Sequence, residues 1–270
     1  MTRVAESPDG RWKAEDLRAL GITPERARRW FKEHQGMTFA AWCRAHRLAG
    51  AFRRIRAGTA LEDAGLDAGF ESQSGFREAF ARVFGAAPGR SQSTPPPILV
   101  GWVESPVGPL LAGVRDEGVS LLEYADHRGL ESQIRSLGDR CGCPLVPGPH
   151  PLLETLRAEL AEYFAGARRA FTPPVAPHGT PFQLAVWDAL RRIPHGQTLS
   201  YEELARTVGS PTGQRAVARA NGANRIAILV PCHRVIGKDG ELTGYGGGLW
   251  RKRLLLELER TGRLPGNPPP

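Results

Sequence analysis

"SYEELARTVGSPTGQRAVARANGANRIAILVPCHRV" (residues 200–235) holds two short helical patterns, then five apolar residues, then a proline followed by adjacent Cys and His. The helical patterns "YEELARTV" and "GQRAVARANGAN" are spaced as in a helix-turn-helix, and the second carries Arg215 and Arg219 among small residues. Small side chains let a helix lie close to a nucleic-acid groove, and they equally suit tight packing against a neighbouring helix. The apolar run Ile226–Val230 suits a buried segment, which delivers Cys232 and His233 to its end.

A thiol there is either an inert core residue or a nucleophile. An unperturbed thiol is only about 3% thiolate at neutral pH, so an active one needs a base or a positive field nearby. His233 is the adjacent residue, yet neighbours in an extended chain point to opposite sides. Contact therefore requires either a backbone turn, which Pro231 favours, or a bridging water. In the C-terminal helix "LWRKRLLLELER", Glu259 stands four residues after Leu255 and three after Leu256. That places its carboxylate on the apolar stripe, where it needs a partner such as an imidazole.

The chain has 270 residues and a formal net charge of +8. This length suggests two domains, and the basic balance favours a polyanionic partner. The charge divides as +5 over 1–94, −3 over 95–170 and +6 over 171–270, so both ends are suited to phosphates. No apolar run is long enough to span a membrane and the N-terminus lacks the apolar core of a secretion signal, which reads as a cytosolic protein. Four cysteines are too few for a disulfide framework. Cys141 and Cys143 form a C-x-C without the further ligands that tetrahedral zinc requires, so no metal is expected.

Before residue 90 the pattern is helical. A short helix, a turn at Gly21, Thr23 as N-cap and Pro24 at the first helical position form one helix-turn-helix signature. A longer helix over about 39–56 follows, and then a short helix, a turn at Gly69, an N-cap at Ser72 and a helix to Phe84 repeat the pattern. "AAPGRSQSTPPP" (86–97) reads as a semi-rigid linker. Beyond it, "ILVGWVES", "PLLAGVR" and "VSLLEYA" suggest a small antiparallel sheet, with helices at about 129–138 and 150–166. "FQLAVWDALRRI" opens the helical region that contains the 200–235 stretch, and "RLPGNPPP" reads as a disordered tail.

Residues 12–90, above all the phrase from Gly69-Phe70 through Phe76 and Phe80 to Gly85 and Pro88, resemble the paired helix-turn-helix domain of AraC-type transcription regulators. Asp63 and Glu78 depart from that family's pattern, where a buried aliphatic and a basic residue are usual. "PCHRV" (231–235), "SYEELA" (200–205), "GQRAVARANGAN" (213–224) and "GYGGGLWRKRLLLELE" (244–259) resemble the O6-alkylguanine-DNA alkyltransferases over about residues 98–260. The combination is similar to an Ada-like chain without the N-terminal zinc-binding domain.

The resemblance implies an all-α AraC-type domain at 1–90 and a linker at 91–97. It implies an α/β, ribonuclease H-like subdomain at 98–172, a helical, winged-helix-like catalytic domain at 173–262 and a tail at 263–270. It implies irreversible transfer of the alkyl group of O6-alkylguanine, and of O4-alkylthymine, in duplex DNA to Cys232. His233 would deprotonate the thiol through water, Glu259 would hold the imidazole, Asn224 would orient the site and Tyr201 would donate to the leaving base. Arg215 would replace the flipped nucleotide, and Gln214, Ala216 and Arg219 would face DNA. Val235, Tyr245, Gly246 and Gly247 would line the base pocket, the carbonyls of Cys232 and Val235 reading the exocyclic amine.

Further implications are a monomer without cofactor or metal, and contact with promoter DNA through 1–90. Glycines 246–248 are expected to widen the pocket for alkyl groups bulkier than methyl, or else merely to form a tight turn. Competing readings are a lesion sensor without chemistry, which Cys232 argues against, a transcription regulator in which repair is secondary, and a cysteine hydrolase, for which no oxyanion hole is evident.

Overall fold

The computed structural model describes residues 12, 14–35 and 37–265; the end of the chain, including most of the expected tail, lies outside the described residues. Contacts divide the chain into two units, one of 1–102, 113–115 and 134–151, the other of 103–112, 116–133 and 152–270.

In the first unit, helices α1 (Ala14–Ala19) and α2 (Pro24–Gln35) are joined through Gly21, whose φ of 69° is left-handed, and through Thr23, whose hydroxyl accepts from Arg26 N at 3.3 Å. Such a cap satisfies one of the helix's orphan donors and contributes about 1 kcal/mol. The long α3 (Phe39–Arg56) buries Trp42, Leu48, Ala49 and Phe52. Phe31 of α2 lies 5.2 Å from the Trp42 ring.

Helices α4 (Leu61–Asp67) and α5 (Gln73–Phe84) repeat the arrangement, with Ser72 capping at 3.2 Å and Gly85 ending α5 in the left-handed region. Phe76, Phe80 and Phe84 recur every four residues, so they share the buried face of α5, where Phe80 stacks on Phe52. Asp63 is exposed; Ala64 and Gly65 form the buried face of α4 instead. Glu78 pairs with Arg82 on the exposed side of α5.

The Pro-rich stretch after α5 is held rather than loose. Residues 88–90 form a short 3-10 turn, and Arg56 donates to Ser91 O at 2.9 Å and to Thr94 O at 3.1 Å. Strand β1 (Ile98–Val103) is followed by β2 (Leu110–Arg115) and β3 (Gly118–Tyr124), then by α6 (Leu130–Cys141) and β4 (Leu145–Pro147), with the strand order β3-β2-β1-β4. A two-residue turn joins β2 to β3, which requires an antiparallel pair. The sheet is not wholly antiparallel as expected: β4, a three-residue strand too short to stand out in the sequence, runs parallel to β1 with Leu99 opposite Val146. Helix α6 supplies the crossover that a parallel pair needs.

In the second unit, α7 (Pro151–Phe164), α8 (Pro181–Arg191), α9 (Tyr201–Thr207), α10 (Gln214–Gly222) and α11 (Leu249–Thr261) surround the Cys232 segment. A capping box of Ser200 with Glu203 starts α9 and places Tyr201 as its first residue. The two-residue strand β5 (Leu199–Ser200) pairs parallel with β6 (Val235–Ile236), tying the start of α9 to the residues just after Cys232. Trp187 of α8 donates to Ala220 O at 2.8 Å, which fixes α10. Among the described residues no helix is long and apolar enough to cross a membrane.

Candidate active site around Cys232

The apolar run leading to Cys232 is not a strand but a tight series of turns. Val230 N donates to Ile226 O at 2.9 Å and Cys232 N to Val230 O at 2.8 Å, and Ile228 has a φ of 70°. A β-branched residue in that region costs on the order of 1–3 kcal/mol, so the surroundings must hold it. Asn224 is part of that support. Its Oδ1 accepts from Ile226 N at 3.0 Å, while its Nδ2 donates to Val230 O at 2.8 Å and faces the Cys232 sulfur at 3.2 Å.

Cys232, His233 and Arg234 then form one 3-10 turn. This turn sends the His233 ring, fully buried, onto Glu259 of α11, with Nε2 2.8 Å from Oε1. Glu259 also accepts from Arg234 Nε at 2.8 Å and Nη2 at 2.9 Å, from the Tyr163 hydroxyl at 2.9 Å and from Gly196 N at 3.1 Å. Burial alone would raise its pKa, but these hydrogen bonds and the neighbouring positive charge overcome it and hold Glu259 far below the carboxylate range. An ionised Glu259 fixes the imidazole tautomer: Nε2 carries the proton and Nδ1 carries the lone pair. His233 Nδ1 is buried with no hydrogen-bond partner among the described residues. Burial, ahead of the Glu259 interaction that opposes it, lowers the His233 pKa, so the ring is neutral and basic at neutral pH.

The thiol is not pre-ionised. Burial pushes Cys232 up to about 11, partly offset by the Asn224 hydrogen bond. Lys252 of α11, fully buried, is a cation whose charge works to lower the thiol's pKa. Its ammonium donates to Val235 O and to Thr243 O, both at 2.6 Å, and burial brings its pKa down to about 8.

A cavity of about 560 Å³ opens beside the sulfur. Tyr201, Asn224, Cys232, Gly244, Tyr245 and Glu123 are among its walls. The pKa of Tyr201 is raised, chiefly by burial, so its hydroxyl keeps its proton as a donor. The Tyr124 and Tyr245 hydroxyls are 2.9 Å apart. Arg251 stacks 4.4 Å from the Tyr124 ring and donates to Gly247 O at 2.8 Å, clamping the glycine loop.

The space that Gly246 and Gly247 leave is occupied: a Cβ at Gly246 would meet the His127 ring, and one at Gly247 would collide with Tyr124. Both glycines line the cavity, and each lets an aromatic ring pack close against the backbone. Gln214, Arg215 and Arg219 are exposed on α10, with Ala216 half-buried, and neither arginine has a hydrogen bond or ion pair among the described residues. Ala218, Asn221 and Gly222 of the same helix reach the cavity rim.

The structure thus brings Cys232, His233, Glu259, Asn224 and Tyr201 together, with Val235 and Tyr245 beside them. Sequence reasoning missed Arg234, Tyr163, Lys252, Tyr124 and Glu123. Lys252, Leu255 and Glu259 recur at helical spacing, and that was a readable sign that Lys252 shares the inward face of α11. Among the described residues no group of three or more His, Cys, Asp or Glu side chains is arranged to hold a metal.

A family model described as "6-O-methylguanine DNA methyltransferase, DNA binding domain" matches residues 181–261, and one described as "Helix-turn-helix domain" matches 17–93. A methylated-DNA–protein-cysteine methyltransferase of Methanosarcina acetivorans is 44% identical over 156 residues, 58% of this chain and 94% of the relative. The inducible protein of that name from Bacillus subtilis is 55% identical over 108 residues, 40% of this chain and 60% of the relative. A solved Mycobacterium tuberculosis OGT in complex with DNA is 41% identical, with a TM-score of 0.52 over 62% of this chain and 94% of that one.

Proposed function

From the premise that the chain belongs to the methylated-DNA–protein-cysteine methyltransferase family, we propose a single-use repair reaction in which Cys232 takes the alkyl group of O6-alkylguanine from duplex DNA. The observation that carries this reading is the buried Glu259–His233 pair, its imidazole in the same 3-10 turn as Cys232, whose sulfur lines a cavity of about 560 Å³.

The lesion is unreachable inside a stacked duplex, so the nucleotide is extruded, at a cost of a few kcal/mol. Arg215, exposed at the first turn of α10, fills the vacated stack, and Arg219 contacts phosphate. In the cavity the thiol proton passes through a water to His233 Nδ1 as the Sγ–C bond forms and the C–O6 bond breaks. The electron pair of the broken bond enters the guanine ring, which takes one proton from the Tyr201 hydroxyl; the proton held by His233 returns through solvent to Tyr201. Net, the thiol hydrogen ends on guanine and the alkyl group on sulfur.

Each residue has a limited task. Asn224 holds the sulfur, Glu259 keeps the base form of His233 aimed at it, and Lys252 provides positive charge as sulfur gains negative character. The thioether has no easy hydrolytic exit, so each chain reacts once. The carbonyls of Cys232 and Val235 read the exocyclic amine in this scheme, with Lys252 fixing the latter. O4-alkylthymine falls within the same proposal because it presents the same sp³ carbon.

The β3-β2-β1-β4 order, with β4 parallel to β1, supports a ribonuclease H-like reading of 98–172. The proposal has the chain acting as a monomer in the cytoplasm, where thiols stay reduced. The match of 17–93 to a helix-turn-helix model favours an added reading, contact with promoter DNA through residues 1–90.

The test is to titrate a duplex bearing one O6-methylguanine with the full chain and count lesions lost. One lesion per protein molecule, and none with Cys232→Ala, is the expected result. Catalytic turnover, or repair by Cys232→Ala, would overturn it.

A further inference from the structure

Glu123 ends β3 inside the cavity, 4% exposed, and its surroundings are unlike those of Glu259. Glu259 is met by five donors, two of them on the Arg234 guanidinium. Among the described residues Glu123 has two, both neutral: Tyr124 N at 2.9 Å and Gln133 Nε2 at 3.3 Å. A buried carboxylate left with so few partners costs stability, and packing alone would be served better by Gln or Leu.

Its position is set by the backbone. Leu122 bridges to Ile226, with Leu122 N donating to Arg225 O and Ala227 N to Leu122 O, both at 2.8 Å. The end of β3 is thereby fixed alongside the segment that connects Asn224 to Cys232. The Cys232 thiol, raised first by burial, is raised further by the Glu123 charge, so the two groups share one electrostatic space.

A transferred carbon must lie about 3–3.5 Å from the sulfur before reaction, so substituents on that carbon spread next to the sulfur. In the reaction above the base meets Tyr201, which lines the same cavity together with Ala218, Asn221 and Gly222 of α10.

We propose that Glu123 is a specificity-determining residue for the transferred group, its carboxylate excluding O6-alkyl groups that carry negative charge while admitting neutral groups of the same shape. The inference rests on Cys232 being the alkyl acceptor, with the bonds made and broken as in the reaction above. The charged and titratable groups around Glu123 are Tyr124 on β3, His127 in the turn after it, Tyr245 in the glycine loop, Arg251 of α11, and Cys232. Burial raises the Glu123 pKa, ahead of the opposing hydrogen bond from Tyr124 N, so exclusion is strongest in alkaline solution and relaxes on acidification.

The experiment compares single-turnover rates of the full chain on duplexes bearing O6-carboxymethylguanine and O6-carbamoylmethylguanine, which match in shape and differ in charge. The ratio of the two rates cancels effects on Cys232 and His233, and His127 and Arg251 are present in every protein compared. For the unaltered chain, the carboxymethyl-to-carbamoylmethyl ratio in alkaline solution lies well below one, and acidification that protonates Glu123 raises it. Glu123→Gln raises that ratio by about tenfold or more at the alkaline end and removes its pH dependence, whatever the loss of its charge does to O6-methyl transfer through the thiol.

A ratio unchanged within about twofold in Glu123→Gln, or a ratio near or above one for the unaltered chain in alkaline solution should the variant not fold, overturns the proposal. Failure of the unaltered chain to take methyl onto Cys232 would instead sink the repair reading itself, so the two failures are distinguishable.

Discussion

Replacing Glu259 by Gln keeps shape and removes charge, which makes it the sharpest perturbation of the site. Oε1 accepts from His233, Arg234 and Tyr163, and Oε2 accepts from Arg234 and Gly196. An amide offers one acceptor oxygen, and its NH₂ group turns donor against donor at the other position. Whichever way it sits, Arg234, 8% exposed, loses the carboxylate that neutralises it. Breaking a buried pair from one side costs about 3–5 kcal/mol. At about 2–4 °C per kcal/mol for a unit of this size, the melting temperature of the second unit falls by roughly 6–20 °C.

The chemistry suffers separately. A neutral Gln no longer enforces the proton on Nε2, so Nδ1 spends part of its time protonated and cannot act as base. Loss of a general base is worth about 10²–10⁴ in rate. Calorimetry gives the first quantity, and single-turnover demethylation of an O6-methylguanine duplex, run well below the lowered melting point, gives the second. A variant that melts within about 2 °C of the unaltered chain and reacts at its rate would show that neither the buried network nor the tautomer argument is right.

Asn224→Ala leaves Ile226 N and Val230 O without their side-chain partner and the sulfur without its donor; a loss of about 1–3 kcal/mol in urea unfolding is expected, together with slower transfer. Arg215→Ala changes an exposed side chain, so stability stays within about 0.5 kcal/mol while lesion repair slows about tenfold and duplex binding becomes less salt-dependent. Because His233 has its pKa lowered from 6.5, its base form dominates above that value; the transfer rate is flat from about pH 6.5 to 7, falls as acid takes pH through the lowered pKa, and declines again as Lys252 loses its proton near pH 8. On the acid side the folded state binds fewer protons than the unfolded state, so stability falls in the same direction. A rate already falling at neutral pH would contradict this assignment.

The helix-turn-helix unit was readable because its signals are local. Thr23, Ser72, Gly21, Gly69 and the phenylalanines of α5 each act within a few residues of themselves. The relation between Glu259 and His233 was readable for a different reason: helical periodicity put a carboxylate on the apolar face of α11, where burial demands a partner. Arg234 and Tyr163 were not, because they meet Glu259 only through tertiary packing. The run Ile226–Val230 was readable as buried, but its conformation, a series of turns held by Asn224, was not, because apolar character reports burial and not backbone shape. Gly246 and Gly247 show the same limit: the sequence signals freedom at those positions, while the rings that use the space, His127 and Tyr124, come from more than 100 residues earlier.

The central claim is that one sulfur atom receives the carbon removed from DNA. It is tested most directly by exposing the reduced chain to a duplex with a single O6-methylguanine and mass-analysing the peptide that contains Cys232. The expected spectrum shows that peptide heavier by one CH₂, with the peptides of Cys43, Cys141 and Cys143 unchanged. An unmodified Cys232 peptide from folded protein that has met the lesion, or methyl on another cysteine, would contradict the account.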